Sequence, residues 1–155
     1  ERFRNVQTWD MHGIGAGLGS MFGTGAYGLG WALPNLDQAV SALLEDLHTR
    51  GMLSSTLVAW TGEFGRTPKI NGGAGRDHWS PVMSALVAGG GLRMGQAIGT
   101  TNSRAEHPKD RPLTAPQVLS TLYHALGIDP SLTFPNNTGR PMYILDDREP
   151  VRELV

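Results

Sequence analysis

The sequence predicts an α/β fold with a mainly parallel sheet. Two observations support this class: helical patterns alternate with short apolar strands along the 155 residues, and loops rich in glycine and proline separate them. Only three or four strands can be counted, which is few for a complete domain of this type. We therefore expect residues 1–155 to form an incomplete part of one domain.

The two predicted helices have clear start and stop signals. The first is predicted over residues 34–50, with a proline in its first turn and Gly51 just past its end. Its apolar face consists of Leu36, Val40, Leu43, Leu44 and Leu47. The second begins after Thr114, which forms a capping box with Gln117, and Gly127 ends it.

Strands are predicted from short apolar runs between turn signals. The clearest runs cover residues 56–61, which we expect to be buried, and 82–88, with weaker candidates at 6–10, 96–101 and 141–145. Residues 13–30 hold eight glycines in eighteen positions, which predicts a long mobile loop. Its alternating glycines neither follow a clear strand nor open a helix, which disfavours a dinucleotide or phosphate loop.

Composition excludes several classes of function. Lys and Arg number 13 against 14 Asp and Glu, and the net charge of -1 gives no electrostatic reason to expect nucleic acid or an anionic membrane surface. The apolar runs are shorter than the roughly 20 residues of a membrane span. Without cysteine, the chain has no disulfide, no zinc ribbon and no thiol chemistry. We expect neither a nucleic-acid partner nor a membrane span.

Three polar groups lie at strand ends or in the loops that follow, where α/β enzymes place their sites. They are Asp10 with His12, Glu63 with Arg66, and Asp77 with His78. Alternate residues of an extended segment point the same way, so Asp10 and His12 can face one ion. Carboxylate oxygen with imidazole nitrogen suits zinc, manganese or iron better than calcium.

Each group also has an ordinary structural interpretation. Asp10 with His12 is compatible with a turn residue beside a surface histidine. Glu63 could be an ion-pair partner of Arg66, and Asp77 could form an Asx turn that holds its own loop. Their shared position in loops around strands favours one site. The remaining histidines are expected to be structural or solvated, at positions 48, 107 and 124.

Four motifs, in the order in which they occur along the chain, resemble those of a known family. They are Trp9-Asp10-Met11-His12, Gly62-Glu63-Phe64-Gly65-Arg66-Thr67-Pro68, Gly75-Arg76-Asp77-His78-Trp79 and Tyr123-His124-Ala125-Leu126-Gly127-Ile128-Asp129. Together they resemble the C-terminal half of the bacterial domain of unknown function 1501. That family is relatively common in planctomycetes and is similar to the alkaline phosphatase and sulfatase superfamily. The resemblance covers roughly residues 6–145.

The superfamily resemblance implies a three-layer α/β sandwich with a metal site at the carboxyl edge of its sheet. It implies hydrolysis of a phosphate or sulfate ester, small or polymeric, with one or two divalent ions. Asp10, His12, Glu63 and His78 match the ligand positions, and Asp77 would be a further ligand or would orient His78. Arg66 would pair with the anionic group of the substrate. An N-terminal half of the same domain would carry the nucleophile.

The sequence departs from the superfamily at several points. Phe64 stands where a metal-binding histidine is usual, and the first acid–histidine pair is spaced by two rather than four. One ion or a remodelled pair is therefore as compatible with the sequence as a full two-metal site. Family members often begin with a twin-arginine leader, which implies a periplasmic or extracellular location. The alternative function is a non-catalytic exported or surface protein that retains the fold and at most a structural ion.

Overall fold

The computed structural model describes residues 9, 11–13 and 29–155, without the side chain of Trp31. Within these residues the fold is mixed α/β, as expected from the sequence, with two helices and three two-stranded sheets. The elements in chain order are α1 (Leu29–Thr49), β1 (Leu57–Thr61), β2 (Gly65–Arg66), β3 (His78–Trp79), β4 (Ala85–Gly89), α2 (Ala115–Ala125), β5 (Thr133–Pro135) and β6 (Pro141–Tyr143). The strand predicted at residues 6–10 and most of the predicted glycine-rich loop lie outside the described residues.

The chain divides into two compact units. The first contains the described residues up to Asp46 together with Thr61–Ala85 and Thr101–Pro108. The second contains Leu47–Trp60, Leu86–Thr100 and Lys109–Val155. The motifs that carry the predicted site residues are in the first unit, whereas α2 and the C-terminal segment are in the second.

Helix α1 begins earlier than the sequence predicted. It starts at Leu29, so the last two residues of the predicted loop are helical and Pro34 lies inside the helix, where it cannot donate a backbone hydrogen bond. Its end is as predicted: Gly51 has φ +68°, its N–H donates to His48 O at 2.9 Å, and the N–H of Met52 donates to Leu47 O at 2.8 Å. These two bonds form a Schellman motif.

Helix α2 follows its predicted signals closely. The hydroxyl of Thr114 accepts a hydrogen bond from the Gln117 N–H at 3.3 Å, and the Gln117 side chain accepts one from the Thr114 N–H at 3.1 Å. Gly127, at φ +69°, ends the helix in a second Schellman motif, in which the N–H of Ile128 donates to Tyr123 O at 2.9 Å. Local hydrogen bonds therefore fix both ends of α2.

Two buried hydroxyls attach the C-terminal segment to α2. Ser120 and Thr121 are 0% and 1% exposed. The Ser120 hydroxyl donates to Arg148 O at 2.6 Å, and the N–H of Val151 donates to the Thr121 hydroxyl at 2.8 Å. Val151 itself is buried. Because both hydroxyls have hydrogen-bond partners, these bonds offset the cost of removing the two polar groups from water.

The described residues form three small sheets of two strands each. β2 pairs with β3 and β5 with β6 in antiparallel fashion, and β1 pairs with β4. The mainly parallel sheet stays a prediction. Connections as short as that between β5 and β6 allow antiparallel but not parallel pairing. The strand predicted at 96–101 was wrong: that segment contributes only an isolated bridge between Thr101 and Pro108.

Residues 56–61 were predicted to be a buried strand. They contain β1, but the C-terminal end of this strand is exposed. β1 is half-buried at Leu57 and exposed at Trp60, whose relative exposure is 45%. A strand in a two-stranded sheet has few neighbours to cover it, which accounts for this exposure. Neither described helix has the length and apolar character needed to cross a membrane.

Loss of the capping hydroxyl should weaken α2. We expect Thr114→Ala to lower the free energy of unfolding by about 1 kcal/mol, because the Gln117 N–H at the helix start loses its acceptor. Thr114→Ser, which keeps the hydroxyl, is the control and should stay close to wild type. Urea unfolding followed by circular dichroism measures both, and equal stability of the two variants would contradict the role of the cap.

The ion pair of Arg111 with Glu153 predicts a pH dependence. Two hydrogen bonds of 2.6 and 2.8 Å join the guanidinium to the carboxylate, and they lower the pKa of Glu153 to about 2. The pair therefore stabilises the fold above the ordinary carboxyl pKa of about 4.5, and this stabilisation is lost as the pH falls toward 2.

We expect the stability difference between wild type and Glu153→Gln to shrink over that acidic range. Urea unfolding at a series of pH values measures it, and added salt should reduce the difference because the pair is exposed. If the stability difference between wild type and Glu153→Gln does not change with pH, the lowered pKa of Glu153 in the ion pair is contradicted.

Candidate site around His12 and His78

The ribbon formed by β2 and β3 places two of the predicted site residues side by side. In its antiparallel register Arg66 lies opposite His78, and Gly65 lies opposite Trp79. Directly opposed residues project from the same face of a ribbon, so Arg66 and His78 share one face. Gly65 leaves no room for a side chain, because a Cβ there would overlap the carbonyl oxygen of Val82.

His12 completes a cluster on this ribbon. Its ring centroid is 4.6 Å from that of His78, with the rings tilted by 56°. The Arg66 Nη1 atom lies 3.2 Å from His12 Nε2 and 3.5 Å from Nδ1. The Phe64 ring is centred 4.2 Å from the His78 ring. We call these four residues the histidine cluster: His12, Phe64, Arg66 and His78.

Asn71 holds the His12 segment against the loop between β2 and β3. Its side-chain nitrogen donates to His12 O at 2.9 Å and to Asp77 Oδ1 at 3.0 Å. Its side-chain oxygen accepts hydrogen bonds of 3.0 Å from the N–H groups of Gly73 and Gly75. One amide therefore shapes the loop and joins it to the backbone that carries His12.

The same contact depends on glycine at two positions. A Cβ at Gly75 would overlap the backbone of His12, and one at Gly13 would lie 2.6 Å from Gly73 O. Gly13 also has φ +114°, a conformation that side chains disfavour. A backbone bond from the Arg76 N–H to Met11 O at 2.7 Å closes the contact. The glycines flanking the motif are thus what lets the two segments approach.

The remaining predicted site residues lie in three different situations. The Asp77 carboxylate accepts the Asn71 bond, and its backbone N–H donates to the Thr67 hydroxyl at 3.1 Å, so it holds its own loop. Glu63 is exposed, and in the described part of the chain it makes neither a hydrogen bond nor an ion pair, including with Arg66. Asp10 lies outside the described residues.

The chemistry of the donors decides how well the cluster fits a divalent ion. Two adjacent imidazoles fit part of a ligand set for zinc, manganese or iron. A protein site of this kind usually has at least three ligands, and no group of three His, Cys, Asp or Glu suited to a metal occurs among residues 9, 11–13 and 29–155. Asp10, next but one to His12, is the predicted third ligand.

Two residues of the site were not predicted as such. Asn71 is followed by two glycines, a typical turn sequence, and that local signal does not show that its amide reaches His12. Phe64 drew notice only as a departure from the superfamily, whereas the structure places its ring against His78.

The fold and the cluster define a mixed α/β protein in which two histidines and an arginine meet on a short antiparallel ribbon. Residues 2–155 match the model of the family described as "Protein of unknown function (DUF1501)", and the chain belongs to this family. The family resemblance seen in the four motifs is therefore confirmed. Neither the curated proteins nor the solved structures gave a match to the chain.

Asn71→Asp tests the two hydrogen bonds donated by the Asn71 amide nitrogen separately from the two accepted by its oxygen. Asn71→Asp keeps the oxygen that accepts from the loop N–H groups but sets a second oxygen against two acceptors. We expect a loss of about 2 kcal/mol in the free energy of unfolding, since two hydrogen bonds become repulsive contacts.

Asn136→Asp is the matched control, because the hydrogen bonds shown for the Asn136 side chain all use its oxygen. It should stay within about 0.5 kcal/mol of wild type. Urea unfolding measures both variants, and equal losses would contradict the tether between Asn71 and His12.

Proposed function

We propose that this protein is a metal-dependent hydrolase of phosphate or sulfate esters, built on the plan of the alkaline phosphatase superfamily. The observation that carries the proposal is the meeting of His12 and His78, which are distant in sequence, with the guanidinium of Arg66 beside them. Imidazole nitrogens suit a divalent ion, and a guanidinium suits a tetrahedral oxyanion. Both groups serve the same substrate chemistry.

In this proposal His12 and His78 hold the ion, with Asp10 as the third ligand and Glu63 as a further one. A bound ion supplies Lewis acidity that polarises the ester oxygen and offsets negative charge developing on it. Asp77 acts through position: it shares the Asn71 amide with the His12 carbonyl, so it helps to fix where His12 lies. Arg66 binds the anionic group of the substrate through its fork of donors.

Phe64 has a structural part in the proposed site. Its ring centroid lies 4.2 Å from that of His78, and the His12 ring lies 4.6 Å from the same ring. This packing restricts the orientation of the imidazole before any ligand arrives, which reduces the entropy lost on binding.

The proposal includes a larger domain. An N-terminal half would supply the nucleophile and the further strands of a three-layer, mainly parallel sandwich, and export would place the enzyme in the periplasm or outside the cell. Exposed apolar side chains of the described residues support a partner surface of this kind, among them Trp60 at 45%, Leu86 at 39% and Phe134 at 60% exposure.

A second candidate is a non-catalytic exported or surface protein of the same fold. The hydrogen bond between Arg66 and His12 favours it, because this bond, together with the ring contacts, gives the cluster partners from within the protein. In that case the cluster is a structural feature that joins the His12 segment to the ribbon.

Metal titration distinguishes the two candidates. Isothermal titration calorimetry with Zn²⁺ and with Mn²⁺ is applied to the 155-residue chain, to His12→Ala/His78→Ala, and to His48→Ala/His124→Ala. The last variant is the control, since it also loses two imidazoles but both are exposed near helix ends. We expect about one ion per chain in wild type and control and none in the cluster variant.

Circular dichroism must show that all three proteins are folded. Absence of binding in wild type, or equal binding in the cluster variant, would contradict the proposed metal role of His12 and His78 and favour the non-catalytic candidate. Where the ion binds, hydrolysis of phosphate and sulfate esters is measured with the longer protein that contains the proposed nucleophile.

A further inference from the structure

We infer that Asn71 is a site of covalent modification: its side-chain amide is lost by deamidation once the His12 segment leaves it, and the segment cannot then return. The hydrogen bond to His12 protects the amide, and loss of the amide makes separation of the two segments permanent. This modification is independent of the proposed hydrolase activity, because it needs only the chain and water.

The sequence gives Asn71 the neighbour that this reaction needs. An asparagine amide is open to attack by the backbone nitrogen of the next residue, and a following glycine has no Cβ to block the approach. Asn71 is the one asparagine of the chain that precedes a glycine. The others precede Val6, Leu36, Ser103, Asn137 and Thr138. Deamidation is therefore expected first at Asn71.

The attacking nitrogen of Gly72 is accessible in the folded chain. Gly72 is exposed, and among the described residues its N–H donates to no acceptor. A Cβ at this position would meet no atom within 4 Å. Water and base can therefore reach the nitrogen, and no hydrogen bond of its own has to break before it attacks.

The reaction consumes water and releases ammonia. The Gly72 nitrogen forms a bond to the side-chain carbonyl carbon of Asn71, the bond from that carbon to Nδ2 breaks, and the proton of the attacking nitrogen leaves with Nδ2 as ammonia. Water then opens the cyclic succinimide at either of its carbonyl groups. The products are aspartate and isoaspartate, and neither has the amide N–H donors.

The hydrogen bonds of the folded chain oppose this reaction. Nδ2 of Asn71 donates to His12 O at 2.9 Å and to Asp77 Oδ1 at 3.0 Å. Ring closure makes the amide carbon tetrahedral and expels Nδ2, so it cannot proceed without loss of both bonds. One net hydrogen bond corresponds to roughly fivefold in an equilibrium constant. Release of the His12 carbonyl should raise the reactive fraction by about that factor.

Deamidation then prevents the His12 segment from returning. Either product carries a carboxylate in place of the amide, whereas the former partners of Nδ2 are the His12 carbonyl oxygen and the Asp77 carboxylate, which only accept hydrogen bonds. Isoaspartate also lengthens the backbone of the loop by a methylene group. The contact between the rings of His12 and His78 thereby loses the hydrogen bond that supports it.

The test follows deamidation at Asn71 by mass spectrometry of proteolytic peptides during incubation at mildly alkaline pH. Wild type is compared with a synthetic peptide of residues 67–76, which has the same sequence without the His12 segment, and with Gly72→Ala. This variant places a methyl group in open space, so it should fold as wild type does, but the methyl group crowds the attacking nitrogen.

A second pair of variants tests the coupling to the His12 segment. Gly13→Ala places a Cβ 2.6 Å from Gly73 O and so disturbs the contact without changing the loop that contains Asn71. Gly139→Ala is its matched control. Gly139 also has a positive φ, +79° against +114° at Gly13, but a Cβ there would meet no atom within 4 Å.

We expect the peptide to deamidate at least about fivefold faster than wild type. Gly13→Ala should also exceed the wild-type rate about fivefold, while Gly139→Ala keeps that rate and Gly72→Ala falls below it. Wild type that deamidates as fast as the peptide would overturn the inference, and so would equal rates in Gly13→Ala and Gly139→Ala. If circular dichroism shows that Gly13→Ala does not fold, the comparison of wild type with the peptide decides.

The deamidated chain itself tests whether the loss is permanent. Its added negative charge allows separation from unmodified wild type by ion exchange. It should unfold at a lower urea concentration than wild type, and its nuclear Overhauser spectra should lack cross-peaks between the ring protons of His12 and His78. A deamidated chain with unchanged stability and unchanged cross-peaks would overturn the inference.

Discussion

The side-chain amide of Asn71 is the constraint on which the site depends. It donates to the His12 carbonyl and to the Asp77 carboxylate, and it accepts from two N–H groups of its own loop. All four hydrogen-bonding positions of the amide are thereby used. A backbone bond from the Arg76 N–H to Met11 O at 2.7 Å joins the same two segments.

The β2–β3 ribbon and the Asn71 hydrogen bonds together bring the side chains of the site into contact. The register of the ribbon sets Arg66 opposite His78, and the tether brings the His12 ring over both. The Arg66 guanidinium, two imidazoles and the Phe64 ring then lie close together. Gly65 and Gly75 allow the backbone segments that carry them to approach. The result is an arrangement in which the guanidinium and the two imidazoles lie side by side.

Sequence signals predicted the features that depend on local chemistry. Thr114 with Gln117, and Gly51 and Gly127, marked helix ends correctly because capping bonds involve residues three to five apart. Strand pairing was harder to predict, since the run at 96–101 looks like a strand but has no extended partner. The candidate residues His12, Arg66 and His78 were predicted from their places at strand ends and in loops, and the structure brings them together. Asn71 could not be predicted, because the distant carbonyl it binds leaves no trace in its own neighbourhood.

The most direct test of this account is the distance between the two histidine rings in solution. With ring centroids 4.6 Å apart, nuclear Overhauser spectra of the 155-residue chain should show cross-peaks between the ring protons of His12 and His78. Contacts between Phe64 and His78, at 4.2 Å, provide the internal control because Phe64 directly precedes β2 and His78 begins β3. Cross-peaks for both pairs would confirm that the two motifs meet. Cross-peaks for Phe64 with His78 and none for His12 with His78 would contradict the site.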